Sequence, residues 1–345
     1  MMTLRQRLRA LAYRNVGGTA LVLIYHRVAD LPRDPQLLAA DPATFESHMQ
    51  MLRERFHVMR LGDLAEGLRH RSVPRRSVVV TLDDGYADNL HIALPVLARH
   101  GAPATVFVSS GYVGAGREFW WDELDRLLLA PGTLPTHLEL ASGDARFSAT
   151  LAHSATYLED DAARFSDWNV TEAGGGERQR LYADLCEFVR PLAVAQRDDV
   201  LAQLRAAAGV EESVRESHRP LSLAELREVD ASGILEVGGH TSDHVFLASQ
   251  TADGQRAQIE GDRARLTELL GHAPTSFSYP YGGLDAYTDE SVSIASAAGY
   301  TGACSNHTGA VKPWTDPLRI PRITVGEVDA ETLAAQLEGW FDEPR

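Results

Sequence analysis

The stretch Val78–Tyr86 reads VVVTLDDGY, a short β-branched run that ends abruptly in two adjacent carboxylates and a glycine. Val78, Val79, Val80, Thr81 and Leu82 show no polar–apolar alternation, the pattern of a strand buried on both faces of a parallel sheet. Asp83 and Asp84 then stand at its C-terminal end, the edge at which open α/β sheets and β/α barrels place their reactive side chains. Neighbouring residues at a strand end point in different directions, so the two carboxylates can take different tasks. Gly85 permits the tight exit turn. Taken alone, DDG is as readily an ordinary polar turn.

The same pattern recurs on either side. Leu21–Val28 (LVLIYHRV) is a second buried strand, ending in Tyr25, His26 and Arg27. Phe45, Met49, Leu52 and Phe56 recur at helical spacing behind Thr44 as N-cap, and a short helix opens at Gly62 and Asp63 and runs to about Leu68. Leu90, Leu94 and Leu97 share a helical face that Gly101 terminates, and Ala104–Ser110 (ATVFVSS) is a third buried strand. Strand, helix and strand in this compass make a βαβ unit. Further strands are expected at Leu235–Gly239, Ser276–Tyr281, Thr301–Ser305 and Ile320–Val325, with helices over Gln255–Leu270 and Asp289–Ala298 between them. Such alternation predicts an α/β fold with a parallel barrel or sheet. Residues 120–219 carry few strand signals and read as a mostly helical insertion. Removing them leaves about 245 residues, close to the typical size of a β/α barrel. The expected organisation is therefore a basic helix over 1–17 and a barrel over 18–345, interrupted at 120–219.

The chain has 345 residues, 44% hydrophobic and 23% charged, ordinary values for a globular protein. Its net charge of −15 argues against general nucleic-acid binding and against a strongly anionic polymer as partner. Cys186 and Cys304 have neither zinc-ligand spacing nor the density of a disulfide framework and read as free thiols. The opening MMTLRQRLRALAYRNVGG lacks the apolar core and cleavage site of a secretory signal, and Ala20–Tyr25 is too short to span a bilayer, so a cytoplasmic location is expected. Leu4–Tyr13 is either a solvated helix or a basic amphipathic one making peripheral contact with an anionic membrane surface.

Chemistry concentrates at the strand ends. His240 and His244 form HTSDH directly after LEVGG; four residues apart, they share one face of a helical turn, within reach of a single metal ion. Two imidazoles and one carboxylate make a facial set with open coordination positions, as in catalytic rather than structural sites. Asp84 is the natural third ligand, and a carboxylate left uncoordinated beside it can take a proton from metal-activated water. Chemistry alone does not settle which aspartate takes which part. Tyr279, Pro280, Tyr281, Gly282 and Gly283 end a strand in a turn whose backbone N–H groups can face an oxyanion and whose rings can stack on a sugar. Tyr86 and Trp121 are further candidates for substrate contact, Trp121 as a lining of a carbohydrate cleft or as packing for the insertion. His26 and His307 are both candidates for a general acid that protonates a leaving amine; Arg319 and Arg322 in LRIPRIT are candidates for orienting a carboxylate.

In combination, TLDDGYADN, PATVFV, VGGHTSDH and FSYPYGG, in this order, resemble the polysaccharide deacetylases of carbohydrate esterase family four, the NodB-homology group. The resemblance covers roughly residues 18–112 and 220–326. It implies a distorted (β/α) barrel of seven or so parallel strands and a metal-dependent hydrolase that removes an N-acetyl group from an amino-sugar-containing substrate. By the same resemblance Asp83 is the general base, and Asp84, His240 and His244 bind the metal, commonly zinc, with cobalt or nickel as substitutes. Tyr281 is the backbone donor to the oxyanion. The family's third motif usually carries an arginine that pairs with the base where this chain has Ser278, and Arg322 is the expected substitute. A nucleotide-linked, lipid-linked or small glycoside substrate is expected. The alternatives are another amide, such as N-formyl, on the same site, or a non-catalytic carbohydrate-binding protein.

Overall fold

The computed structural model describes residues 18–342. The basic helix expected over 1–17 lies outside the described residues. The described chain divides into two compact units, one built from residues 18–29, 40–113 and 221–342 and the other from 30–39 and 114–220.

The first unit is a distorted (β/α) barrel. Its sheet contains strands β1 (Ala20–Tyr25), β2 (Ser77–Leu82), β3 (Ala104–Val108), β4 (Leu235–Gly239), β5 (Ser276–Ser278), β6 (Gly302–Cys304) and β7 (Ile323–Thr324). They pair in the order β6-β5-β4-β3-β2-β1-β7, every pairing parallel. Among the described residues β6 and β7 do not pair; Cys304 at the end of β6 makes an isolated parallel bridge to Ile320, just before β7. Every residue of β1, β2 and β3 is buried, as expected for a parallel sheet covered on both faces. The register pairs Tyr25 with Leu82 and Val108 with Gly239. His26 and Asp83 therefore leave neighbouring strands at one level, and Ser109 and His240 do the same.

Several elements differ from the sequence reading. LVLIYHRV is not one strand: β1 stops at Tyr25, and Arg27–Val28 forms a separate two-residue strand beyond His26. The helix over Pro42–Arg55 is capped by Asp41 rather than Thr44, because Pro42 takes the first helical position and Asp41 Oδ1 accepts from the N–H groups of Ala43 and Thr44 at 2.9 and 3.0 Å. A π-helical turn, Asn89–Ala93, precedes the α-helix Leu94–His100, next to Pro95, which has no N–H to continue an α ladder. Gly101 ends that helix in the left-handed conformation at φ 57°.

In the second unit the helices Trp120–Leu128, Glu159–Arg164, Glu177–Val189 and Val194–Ala208 are accompanied by an antiparallel hairpin, His137–Ser142 with Ala145–Thr150. Only Leu138 and Leu140 bury one side of this hairpin, which makes its alternation weak in sequence. Inside the unit Arg215 joins Glu118 and Asp125 at 3.0 and 2.6 Å, and the fully buried Arg178 donates to the carbonyls of Ser154, Leu128, Gly132 and Ala155. Both cysteines are free and buried, and burial pushes each thiol up to about 12. Among the described residues no helix is long and apolar enough to cross a membrane.

One core group makes stability depend on pH. His48 is buried, with Nδ1 at 3.1 Å from the Tyr25 hydroxyl and Nε2 at 2.8 Å from the Val328 carbonyl. Burial lowers its pKa below the ordinary 6.5, against the opposing pull of Val328 and Asp329. The unfolded chain then binds the extra proton first, so this contribution is complete above pH 6.5 and is lost as pH falls towards the lowered folded value. The thermal midpoint should decline between pH 7 and 5 in the native protein, with a shallower slope in His48→Gln; equal slopes would exclude His48 as the source.

Candidate active site

Two strand exits converge on one set of polar side chains. Asp84 follows β2, and His240 and His244 follow β4; ligand atoms of the three residues all lie within 4.8 Å of one another, and all three are buried. Asp84 Oδ1 is 3.6 Å from His240 Nε2 and 3.4 Å from His244 Nε2. These separations exceed a normal hydrogen bond but match the edge of a ligand tetrahedron, about 3.4 Å for metal–ligand bonds of about 2.0–2.1 Å. His240 Nδ1 is 2.7 Å from the Ser278 carbonyl, which can only accept, so Nδ1 carries the proton and Nε2 presents its lone pair towards Asp84. Burial lowers the His240 pKa, partly countered by Asp83 and by the hydrogen bond to the Ser278 carbonyl. The donor set therefore suits a divalent metal ion.

The loop that presents the two histidines is not a helical turn. No helix is formed over residues 240–244, and Thr241 and His244 both have positive φ, 63° and 49°. Asp84 (φ 74°) and Tyr281 (φ 61°) share this feature. Each is the central residue of a three-residue turn: Gly85 N–H donates to the Asp83 carbonyl at 3.0 Å, and Gly282 N–H to the Pro280 carbonyl at 2.7 Å. These are γ-turns of the rare positive-φ sense. A left-handed non-glycine residue costs about 1–3 kcal/mol, and such strain is found where surrounding structure forces side chains into a working arrangement. Gly282 could not be replaced cheaply, because its φ is +64° and an added Cβ would stand 2.4 Å from the Asn306 nitrogen.

Asp83 is held by a different set of groups. Arg322 grips it in bidentate fashion, Nη1 to Oδ1 at 2.7 Å and Nη2 to Oδ2 at 2.8 Å, both residues being almost wholly buried. Ser278 Oγ accepts from Arg322 Nη2 at 2.9 Å and lies 3.3 Å from Asp83 Oδ2. Arg322 also reaches Thr81 Oγ1 at 3.2 Å and, through Nε, the Ser305 carbonyl at 2.8 Å. Burial works to raise the Asp83 pKa, but Arg322, His240 and His26 outweigh it and hold the carboxyl below the usual carboxylate range. A serine thus stands where the third motif normally has arginine, and the guanidinium arrives from the segment before β7.

The remaining candidates separate into those near this cluster and those packed away. His26 is half-buried and interacts electrostatically with Asp83, Arg322 and His240; burial, opposed by Asp83, brings its pKa down to about 4. His307 is exposed, and its backbone carbonyl accepts from the Arg322 N–H at 3.1 Å. Arg319 is at the surface, paired with Asp289. The Tyr281 ring packs edge-on to His244 at 4.8 Å and tilted to Phe246 at 5.6 Å. Three of the expected substrate contacts are buried in the structure. Tyr86 has no exposed surface and lies under the Arg27 guanidinium, 4.2 Å from the ring centroid. Tyr279 is equally buried, stacked on Tyr287 at 4.1 Å, with its hydroxyl donating to the Leu318 carbonyl at 3.1 Å. Trp121, in the second unit, is 5% exposed and stacked on Phe119 at 4.7 Å.

Sequence reasoning passed over Asp88 and Asn89. Arg27 donates to Asp88 Oδ2 at 3.0 Å, Asp88 Oδ1 accepts from the Val28 N–H at 3.1 Å, and Asn89 Nδ2 donates to the His26 carbonyl at 2.9 Å. These contacts fix the segment carrying His26 against the one carrying Asp83. The charged and amide residues within TLDDGYADN were a visible signal, but their partner in YHRV is about sixty positions away.

A family model for polysaccharide deacetylases matches residues 70–137 and 205–303. Asp83, Asp84, His240, His244 and Tyr281 fall inside these ranges, and His26 and Arg322 fall outside them. YxkH of Bacillus subtilis (strain 168), described as a polysaccharide deacetylase, is 30% identical over 95 residues, 27% of this chain and 33% of that protein, so the match spans about a third of the relative. Among solved structures, the Streptococcus pyogenes deacetylase PplD in complex with acetate superposes with a TM-score of 0.58 at 16% identity, over 93% of this chain and 99% of that one. IcaB from Ammonifex degensii gives a TM-score of 0.56 at 20% identity, over 93% and 98%. At such identities these two likenesses show the fold. The model for polysaccharide deacetylases thus matches both the carboxylate and the histidine motifs, over just under half of the chain, and it is this family that the chain's core resembles.

Proposed function

We propose that the protein is a metal-dependent hydrolase that removes an N-acetyl group from an amino-sugar-containing substrate. The observation that carries this reading is the buried triad Asp84, His240 and His244 beside a separate carboxylate, Asp83, that is clamped by Arg322. Asp84 and the two Nε2 atoms would hold a divalent ion, zinc being the best match to the donors, with cobalt or nickel able to replace it. When bound, the metal lowers the pKa of a water and polarises the acetyl carbonyl.

The protein's own groups account for the proton path. Asp83, ionised throughout the working range, accepts a proton as the water oxygen bonds to the acetyl carbon. That proton passes to the neutral imidazole of His26, which interacts electrostatically with Asp83. His26 then delivers it to the sugar nitrogen as the C–N bond breaks, leaving a free amine and acetate. In this reading the N–H of Tyr281, in its strained turn, faces the oxyanion. The net charge of −15 disfavours a strongly anionic polymer as substrate.

The test is acetate release from a panel of N-acetylated amino sugars with protein loaded in turn with zinc, cobalt and nickel. Native protein should turn over at least one substrate, and His244→Ala should lose both bound metal and turnover. Sugar binding without acetate release under all three metals would make the protein a binding module, and release of formate alone from N-formyl analogues would reassign the bond cleaved.

A further inference from the structure

The strained loop carrying His240 and His244 is gripped from behind by one helix, Ala252–Leu270. Asp262, with no exposed surface, accepts the Ser110 N–H on Oδ1 and the His240 N–H on Oδ2, each at 3.0 Å. The His240 N–H is shared with the Val108 carbonyl at 3.1 Å. One helical turn earlier, Gln258 closes a reciprocal pair with Asp243: Oε1 accepts the Asp243 N–H at 2.9 Å and Nε2 donates to Asp243 Oδ2 at 2.9 Å. The Gln258 carbonyl also accepts the Ser242 N–H at 3.1 Å. On the other side of the loop, the Gly111 N–H donates to the Ser242 carbonyl at 2.8 Å.

These contacts bracket the loop. Asp262 pins its first histidine and ties the exits of β3 and β4 together; Gln258 pins the two residues before the second histidine. Gly239 is what admits the carboxylate so close to the strand end, since a Cβ there would stand 2.6 Å from Asp262 Oδ2 and 2.2 Å from the Tyr300 hydroxyl. A loop with two left-handed non-glycine residues relaxes unless other groups over-determine it, and backbone clamps at both ends supply that constraint. A carboxylate in the core phase of a helix, three residues after Ile259 and four before Leu266, is otherwise a costly choice.

We infer that Asp262 and Gln258 are positioning residues that force the His240–His244 loop into the conformation in which both imidazoles face Asp84. The inference rests on the reading of Asp84, His240 and His244 as the metal set. It extends that set to a supporting helix that touches neither substrate nor metal. Outer partners of this kind typically govern metal affinity by 10–100-fold.

The test compares native protein with Asp262→Asn and Gln258→Met, measuring cobalt(II) affinity and the visible absorption spectrum of the cobalt-loaded form, alongside the thermal midpoint without metal. Both variants should bind one cobalt at saturation but 10–100-fold more weakly, with an altered ligand-field spectrum. Gln258→Met should show this with a metal-free thermal midpoint near native, which a merely structural role would not produce. Should Asp262→Asn fail to fold, Gln258→Met decides the question. Unchanged affinity and spectrum in a folded variant overturn the clamp while leaving the metal reading intact. Native protein that binds no cobalt, zinc or nickel overturns both.

Discussion

Replacing Arg322 with methionine is expected to destabilise the protein by about 3–5 kcal/mol, because it strands the Asp83 carboxylate in a buried site with no counter-charge. The magnitude follows from the completeness of the clamp: two short charge-assisted bonds to Asp83, with Ser278, Thr81 and the Ser305 carbonyl occupying the other guanidinium donors. Chemical denaturation at pH 7 measures the loss. Adding Asp83→Asn to the variant should recover a large part of it, since the double variant has no buried net charge to compensate. A cost below about 1 kcal/mol in the single variant would mean that water or another cation replaces the arginine.

Asp83→Asn by itself is expected to lower turnover by about 10²–10⁴-fold, the usual contribution of a positioned proton acceptor. The amide keeps the size of the carboxylate but cannot take a proton from water. Metal content should remain at the native level, because Asp83 lies outside the ligand set in which Asp84 is the carboxylate. Acetate release and metal analysis on the same preparation separate the two effects. Loss of metal together with turnover would exchange the roles of Asp83 and Asp84, and turnover within tenfold of native would place the base elsewhere. Because the substitution leaves Arg322 buried without its partner, some stability is lost as well, and the assay belongs well below the variant's thermal midpoint.

The parts of this site that were legible are those written locally. VVVTL announces a buried parallel strand by composition alone, and LEVGG does so before HTSDH, so that Asp83, Asp84 and His240 could be assigned to strand exits before any coordinates. The reading of HTSDH as a helical turn failed for an identifiable reason. Histidine spacing indicates that two side chains can meet, but the backbone that brings them together is set here by Asp262 and Gln258 from a later helix. Thr241 and His244 adopt left-handed φ values that their own propensities oppose.

The sequence by itself determined the alternation of strands and helices, the order of the motifs and the presence of carboxylates and imidazoles at strand ends, because periodicity and turn chemistry act over a few residues. Tertiary structure alone decided the partners. Arg322 meets Asp83 across a separation of 239 residues, and Ser278 fits between them because the guanidinium enters from the β7 side. Tyr86, Tyr279 and Trp121 show the same limit in the opposite sense: an aromatic residue beside a catalytic motif has the same sequence signature whether it faces a cleft or fills the core. The distinction rests on neighbours such as Arg27, Tyr287 and Phe119, which arrive only when the chain packs. Burial and ion pairing are non-local, and they set at the end of VVVTLDDGY an Asp84 that faces two histidines and an Asp83 held by arginine.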